Sequence, residues 1–182
     1  MTVSLLPRGG PPRVLHVCGF QGAGKTSWIL RRVDLLRSRG LGVGGIVQPA
    51  LPGEGWQEGY DLLDLSSDER IRFARRLPDG SGFAFEPAAW TWAAERIRTA
   101  RREADVLVVD ECGRLEAQGG GHLPALLTPL AGERCSRWIL AVRREVLAGL
   151  RARLGLPLAT VRLPGGTPRS GPLRARPTEQ AP

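Results

Sequence analysis

The sequence predicts an α/β domain of the P-loop kind, a doubly wound, mostly parallel sheet with an inserted β-hairpin. Three observations predict it. Short apolar strands alternate with segments of helical periodicity along most of the chain. One strand, Arg13-Val14-Leu15-His16-Val17-Cys18, runs straight into the glycine-rich string Gly19-Phe20-Gln21-Gly22-Ala23-Gly24-Lys25-Thr26. Another apolar run, Ala104-Asp105-Val106-Leu107-Val108-Val109-Asp110-Glu111, ends in two carboxylates. In an open parallel sheet the carboxyl ends of the strands face the ligand crevice, so both motifs are expected on one edge.

The elements follow in order. Residues 1–12 form a Pro/Gly-rich lead-in without the charged-then-apolar layout of a signal peptide. After the glycine string, Ile29, Val33 and Leu36 recur at helical spacing, Arg31, Arg32 and Arg37 take the wetter side, and Gly40 is a stop. Leu41 to Val47 reads as the second strand. Gln48 to Arg76 lacks a clean helix and carries turn residues around Pro52, Gly53, Gly55 and Gly59. It reads as the inserted hairpin, with Tyr60 to Leu65 against Arg70 to Ala74. Pro87 opens a helix to Ala104 with Trp90, Ala94 and Ile97 on one face. Beyond the acidic strand come a loop at Gly119 to Gly121, a short helix, a strand at Arg137 to Val142, a helix at Glu145 to Leu154 and a last strand at Leu158 to Leu163. From Pro164 onward the Gly, Pro, Arg and Thr composition cannot bury a core, which predicts a mobile tail after a single domain over 13–163.

The glycine string matches the phosphate-binding P-loop completely. Gly19, Phe20, Gln21, Gly22, Ala23, Gly24, Lys25, Thr26 and Ser27 are the expected nucleotide contacts. The glycines let backbone N–H groups point inward at phosphates, and the following helix adds free N–H groups and its positive dipole end. Lys25 is the only lysine in the chain, against 25 arginines (26 Lys+Arg less one). A slender ammonium reaches between β- and γ-phosphates where a planar guanidinium does not. Thr26 is expected to hold Mg²⁺ through its hydroxyl, with Asp110 beside the ion. The run ending in Asp110 and Glu111 reads as a Walker B strand, in which Glu111, clear of the metal, aligns the attacking water or accepts its proton.

Composition bounds the alternatives. A chain of 182 residues with 42% hydrophobic content suits one globular domain. No stretch is long and apolar enough to span a bilayer, and a cytoplasmic location is expected. Cys18, Cys112 and Cys135 form no CxxC pair and leave an odd count, which argues against a disulfide framework and a zinc ribbon. Cys112 reads as a small side chain packed beside the site. A net charge of +8 invites a nucleic-acid partner, but the arginines are scattered and aromatics make up only 5%, so no stacking platform is set in a basic groove. His16 and His122 show no metal-ligand spacing, the first one step from the core and the second in a loop.

The P-loop, Gly45-Ile46-Val47-Gln48-Pro49, Glu58-Gly59-Tyr60-Asp61-Leu62 and Asp110-Glu111-Cys112-Gly113-Arg114-Leu115-Glu116 occur in a familiar order. The chain resembles the small nucleoside-triphosphatases of the cancer-related and thermophile NTPase family, over roughly Val14 to Leu154. That resemblance implies Mg²⁺-dependent hydrolysis of ATP, GTP or other nucleoside triphosphates with loose base preference. One departure stands out: relatives often carry an arginine two residues before the hairpin glycine, where this chain has Gln57.

Transition-state charge calls for a cation beyond Lys25, since an arginine at the γ-phosphate is worth ~10³–10⁵ in rate. Arg114, just past the acidic pair, and Arg143 and Arg144, at the end of a later strand, are eligible, and Glu116 is a partner for Arg114. Two other readings compete with hydrolysis. A small kinase shares the P-loop and needs an arginine-rich lid, which Arg70, Arg72, Arg75 and Arg76 imitate. A nucleotide-dependent cofactor-assembly factor would use binding to switch a surface. Guanine recognition through an Asn/Thr-Lys-x-Asp motif is excluded, because the only lysine lies in the P-loop.

Overall fold

The structure is a computed structural model that describes residues 13–53, 57–156 and 158–164. Most of the lead-in and tail expectations, and the turn at Gly55, lie outside the described residues. The strands are β1 (Arg13–Gly19), β2 (Val43–Val47), β3 (Ala50–Pro52), β4 (Gln57–Asp64), β5 (Arg70–Arg76), β6 (Phe83–Phe85), β7 (Val106–Cys112), β8 (Arg137–Arg143) and β9 (Leu158–Arg162). The α-helices are α1 (Lys25–Arg37), α2 (Pro87–Glu103), α3 (Arg114–Gln118), α4 (Leu123–Leu127) and α5 (Leu147–Leu154).

All nine strands join one sheet in the order β6-β5-β4-β2-β7-β8-β1-β9, with β3 paired to β4. From β2 to β9 the pairing is parallel, while β3 to β6 form an antiparallel extension. The expected hairpin is therefore the centre of a four-stranded flap. Its two outer strands, β3 and β6, have three residues each, too few for alternation to register in the sequence. Only the two top residues of β2 pair with β4, so β3, β4 and β5 carry on past the carboxyl edge of the parallel sheet. The flap strands lie close enough that a Cβ on Gly59 would collide with the Ala74 carbonyl oxygen.

The parallel strands bury both faces, as helices on either side require. In β7, Leu107 and Val109 enter the cluster under α2 and α5, whereas Val106 and Val108 enter the cluster under α1. Ile29, Val33 and Leu36 supply the buried stripe of α1, as their spacing predicts. On α2 the buried face is Ala89, Ala93, Ile97 and Ala100, one step round from the expected stripe. Trp90 is half-buried on its flank, edge-on to Phe73 with ring centroids 4.7 Å apart. Alanines let the helix lie close on the sheet, which the tryptophan would prevent. Arg101 is buried on that helix, where Glu133 accepts at 2.9 and 2.8 Å and the carbonyls of Ala125 and Thr128 at 2.6 and 2.9 Å. The helix expected from Glu145 starts as a 3₁₀ turn over Arg144–Val146 and becomes α5 only at Leu147. Among the described residues no helix is long and apolar enough to cross a membrane.

Both histidines are more buried than the sequence suggests, His16 at 0% and His122 at 2% exposure. Burial pulls each down to about 4, with Arg151 adding to the effect at His16. The unfolded chain then binds protons between about pH 6.5 and 4 that the folded chain refuses, so stability is lost as pH falls through that window. One such group contributes roughly 3 kcal/mol at most. Denaturant unfolding followed from pH 7 to 4.5 is expected to show the decline, and His122→Phe to flatten it by about one proton. Buried Asp110 and Glu116 shift upward and work in the opposite direction, equally in both proteins, so the difference in slope between them is the diagnostic quantity. An unchanged slope in His122→Phe would exclude this origin.

Candidate active site

Gly22 and Gly24 hold φ of 76° and 77°, a left-handed backbone that curls the chain between β1 and α1. Gly24 caps α1 without any side-chain hydrogen bond, so the N–H groups of the first turn remain open to a ligand. Lys25 is buried beneath the loop, its Nζ donating to the carbonyls of Gly19 at 3.3 Å and Phe20 at 2.9 Å. Gln21 contributes a buried Oε1 with no partner among the described residues. Ser27 is exposed on the first turn of α1.

The P-loop strand β1 and the acidic strand β7 are not neighbours, because β8 runs between them. A hydrogen bond spans that gap. Thr26 Oγ1 donates to Asp110 Oδ2 at 2.6 Å, and the backbone N–H of Gln48, just past β2, donates to the same oxygen at 3.2 Å. Asp110 Oδ1 is buried and has no hydrogen-bond partner among the described residues. Burial pushes the Asp110 carboxyl up to about 6, against the bond from Thr26 and with help from the charge on Glu111. An unsatisfied buried oxygen beside a threonine hydroxyl is a donor set suited to a hard cation.

Glu111 differs from its neighbour in backbone as well as exposure. The β7–β8 register slips between Val109 and Cys112, and Glu111 takes φ of 70°, a left-handed conformation costing a non-glycine residue roughly 1–3 kcal/mol. The bulge turns its carboxylate away from the strand's buried faces, leaving the side chain 23% exposed. Arg143 Nε, at the end of β8, donates to Glu111 Oε1. Burial works to discharge Arg143, and the Glu111 carboxylate more than restores the charge. Arg144, next in the chain, lays its guanidinium 5.2 Å from the centre of the Phe20 ring. The end of β8 thus places one arginine on the acidic strand and one on the P-loop.

Arg114 is exposed at the first position of α3. Glu116 does not serve it: the buried carboxylate instead accepts from the Gly113 N–H at 2.7 Å and the His122 N–H at 2.9 Å, fixing the turn after β7. His122 lies in the turn that caps α4, as the sequence suggests, and packs against Phe73 and Trp90. Cys112 is fully buried, as expected of a packing residue, and Cys18, Cys112 and Cys135 are free thiols. Gln57, which stands where relatives often have arginine, donates to the Gly59 carbonyl at 3.0 Å within its own strand. Gln48 entered the sequence reading only within Gly45-Ile46-Val47-Gln48-Pro49 and was given no role of its own there. Its signal was its place between a buried strand and Pro49.

The family model described as NTPase matches residues 14–149. The chain is 31% identical over 147 residues to the nucleoside-triphosphatase THEP1 of Pyrobaculum aerophilum, covering 79% of this chain and 81% of that one. It is 30% identical over 118 residues to the nucleoside-triphosphatase THEP1 of Methanopyrus kandleri, covering 63% of this chain. The match spans 66% of the length of that relative, and 66% of the one from Thermofilum pendens. The solution structure of a human cancer-related nucleoside triphosphatase superimposes with a TM-score of 0.56 at 22% identity, over 84% of this chain and 89% of that one. That likeness is one of fold.

Proposed function

The chain belongs to the NTPase family, and from that premise we propose that it hydrolyses nucleoside triphosphates to diphosphate and phosphate, using Mg²⁺ and discriminating little between bases. The observation that carries the reading is Glu111, held in a left-handed backbone on a bulge beside the Asp110–Thr26 bond. Strain of that kind persists where it aims a reacting group. The unit responsible is the domain over 13–163, working in the cytoplasm, where three free buried thiols are at home.

The P-loop amides from Gly19 to Ser27 cradle the phosphates and Lys25 neutralises them, exchanging its two loop carbonyls for phosphate oxygens. Thr26 and Asp110 would hold Mg²⁺, and the unsatisfied Asp110 Oδ1 fits that use. When bound, the ion supplies positive charge against the phosphate oxygens. Glu111 aligns a water against the γ-phosphorus and takes its proton, while the bond to the β-phosphate oxygen breaks and that oxygen leaves with the electron pair. Arg143 offsets charge on the terminal phosphate, with exposed Arg114 a more distant second cation.

One observation weighs against the kinase reading. Three of the four flap arginines are engaged locally: Arg72 with Asp61 at 2.8 Å, Arg75 with Glu86 at 3.6 Å and Arg76 over the Phe83 ring at 5.8 Å. The deciding experiment is phosphate release from a panel of nucleotides with Mg²⁺ and no acceptor. ATP and GTP are expected to give specificity constants within about tenfold, or roughly 1.4 kcal/mol of transition-state binding. A thousandfold preference for either purine would overturn the loose-base reading.

A further inference from the structure

Gln48 is the first residue past β2, the strand that lies next to β7, so it stands on the carboxyl edge beside the acidic pair. Its backbone N–H is committed to Asp110 Oδ2 at 3.2 Å. That bond fixes the residue relative to Asp110 and Thr26. Pro49 follows, and the proline ring confines Gln48 to extended backbone. The residue is 9% exposed, yet among the described residues its side-chain amide makes no hydrogen bond. The amide oxygen and nitrogen are not among the fully buried atoms that lack a partner, so they reach the water of the site and are available to a ligand there.

The chemistry of the neighbourhood narrows what that ligand is. Asp110 and Glu111 already place two acceptor-only carboxylates here. A carboxamide adds a donor N–H and an acceptor oxygen without a third negative charge. The terminal phosphate of a bound triphosphate is rich in acceptor oxygens, and the water attacking it is a donor. A group offering both, anchored through its own backbone to the expected metal carboxylate, matches the two together.

We infer that Gln48 is a substrate-contacting residue that donates from its side-chain amide to a γ-phosphate oxygen and accepts from the attacking water. The inference rests on the proposed hydrolysis for the water and only on triphosphate binding for the γ-phosphate contact. A diphosphate lacks the γ-phosphate and does not reach Gln48. The residue therefore lets the site tell triphosphate from product.

The test uses the full chain as wild type, Gln48→Leu and Gln48→Glu, all of which keep the backbone bond to Asp110. Three quantities are read: turnover, affinity for ADP, and affinity for a non-hydrolysable ATP analogue with a methylene between its β- and γ-phosphates. Gln48→Leu is expected to lower kcat about 10- to 100-fold and analogue affinity about tenfold, with ADP affinity within twofold of wild type. Gln48→Glu keeps the acceptor but sets a negative charge against the γ-phosphate, and analogue affinity falls further. If Gln48→Leu binds ADP and the analogue equally less well, the residue only props Asp110, and the inference is overturned. A kcat and analogue affinity both within threefold of wild type would overturn it too. Should wild type bind the analogue and release no phosphate, the hydrolysis reading fails, while a selective analogue defect in Gln48→Leu still upholds the γ-phosphate contact.

Discussion

Lys25→Ala is expected to abolish tight triphosphate binding. The loop carbonyls of Gly19 and Phe20 hold the ammonium 3.3 and 2.9 Å away, beneath the glycine curl, so the charge sits where phosphates would enter. Removing it leaves the backbone cradle intact but strips two charge-assisted contacts, together roughly 3 kcal/mol or more, a factor of at least about 10² in affinity. Lys25→Arg should not restore binding, because a fork-shaped guanidinium cannot occupy a buried slot sized for a single nitrogen. Calorimetric titration with a triphosphate analogue measures both variants. Wild-type affinity in Lys25→Ala would remove the P-loop assignment, and full rescue by arginine would show that charge alone matters there.

The parts of the fold that were legible in the sequence are those where apolar spacing is long enough to count. The stripe Ile29, Val33 and Leu36 and the run Val106 to Val109 each cross a packed interface, and both appear as expected. What was not legible depends on partners distant in the chain. The three-residue strands β3 and β6 exist because β4 and β5 offer edges to pair with. Arg101 looks like a surface charge until Glu133 and two carbonyls close round it. The placement of Lys25, Thr26 and Asp110 was readable because their motifs are contiguous, whereas the contacts of the arginines were not. Those contacts depend on β8 lying between β1 and β7, which sends Arg143 to Glu111 and Arg144 to Phe20. Glu116 illustrates the limit: a partner two residues away in sequence lost to backbone N–H groups at Gly113 and His122. Buried N–H groups are the costlier ones to leave unpaired.

Glu111→Gln is expected to keep nucleotide binding and to cut turnover by roughly 10²–10⁴, the usual share of a group that accepts a proton in the transition state. The amide has the same shape and can still accept from Arg143, so the end of β8 should stay in place. What it loses is basicity toward the attacking water. Equal loss of affinity and rate would instead make Glu111 a structural partner of Arg143. A second substitution separates the backbone from the side chain. At φ of 70° the native residue carries a conformational penalty that glycine escapes, so Glu111→Gly should recover part of about 1 kcal/mol while being as inactive as Glu111→Gln. The flexible unfolded state of glycine and the lost ion pair with Arg143 offset some of that gain, and Glu111→Asn, which tolerates the left-handed region, gives an independent measure. Thermal unfolding of the three variants beside their phosphate release tests the point. If Glu111→Gly and Glu111→Asn are both markedly less stable than wild type and Glu111→Gln, the bulge is held for folding by the long side chain's contact with Arg143, and its orientation toward the site is no longer a sign of catalysis.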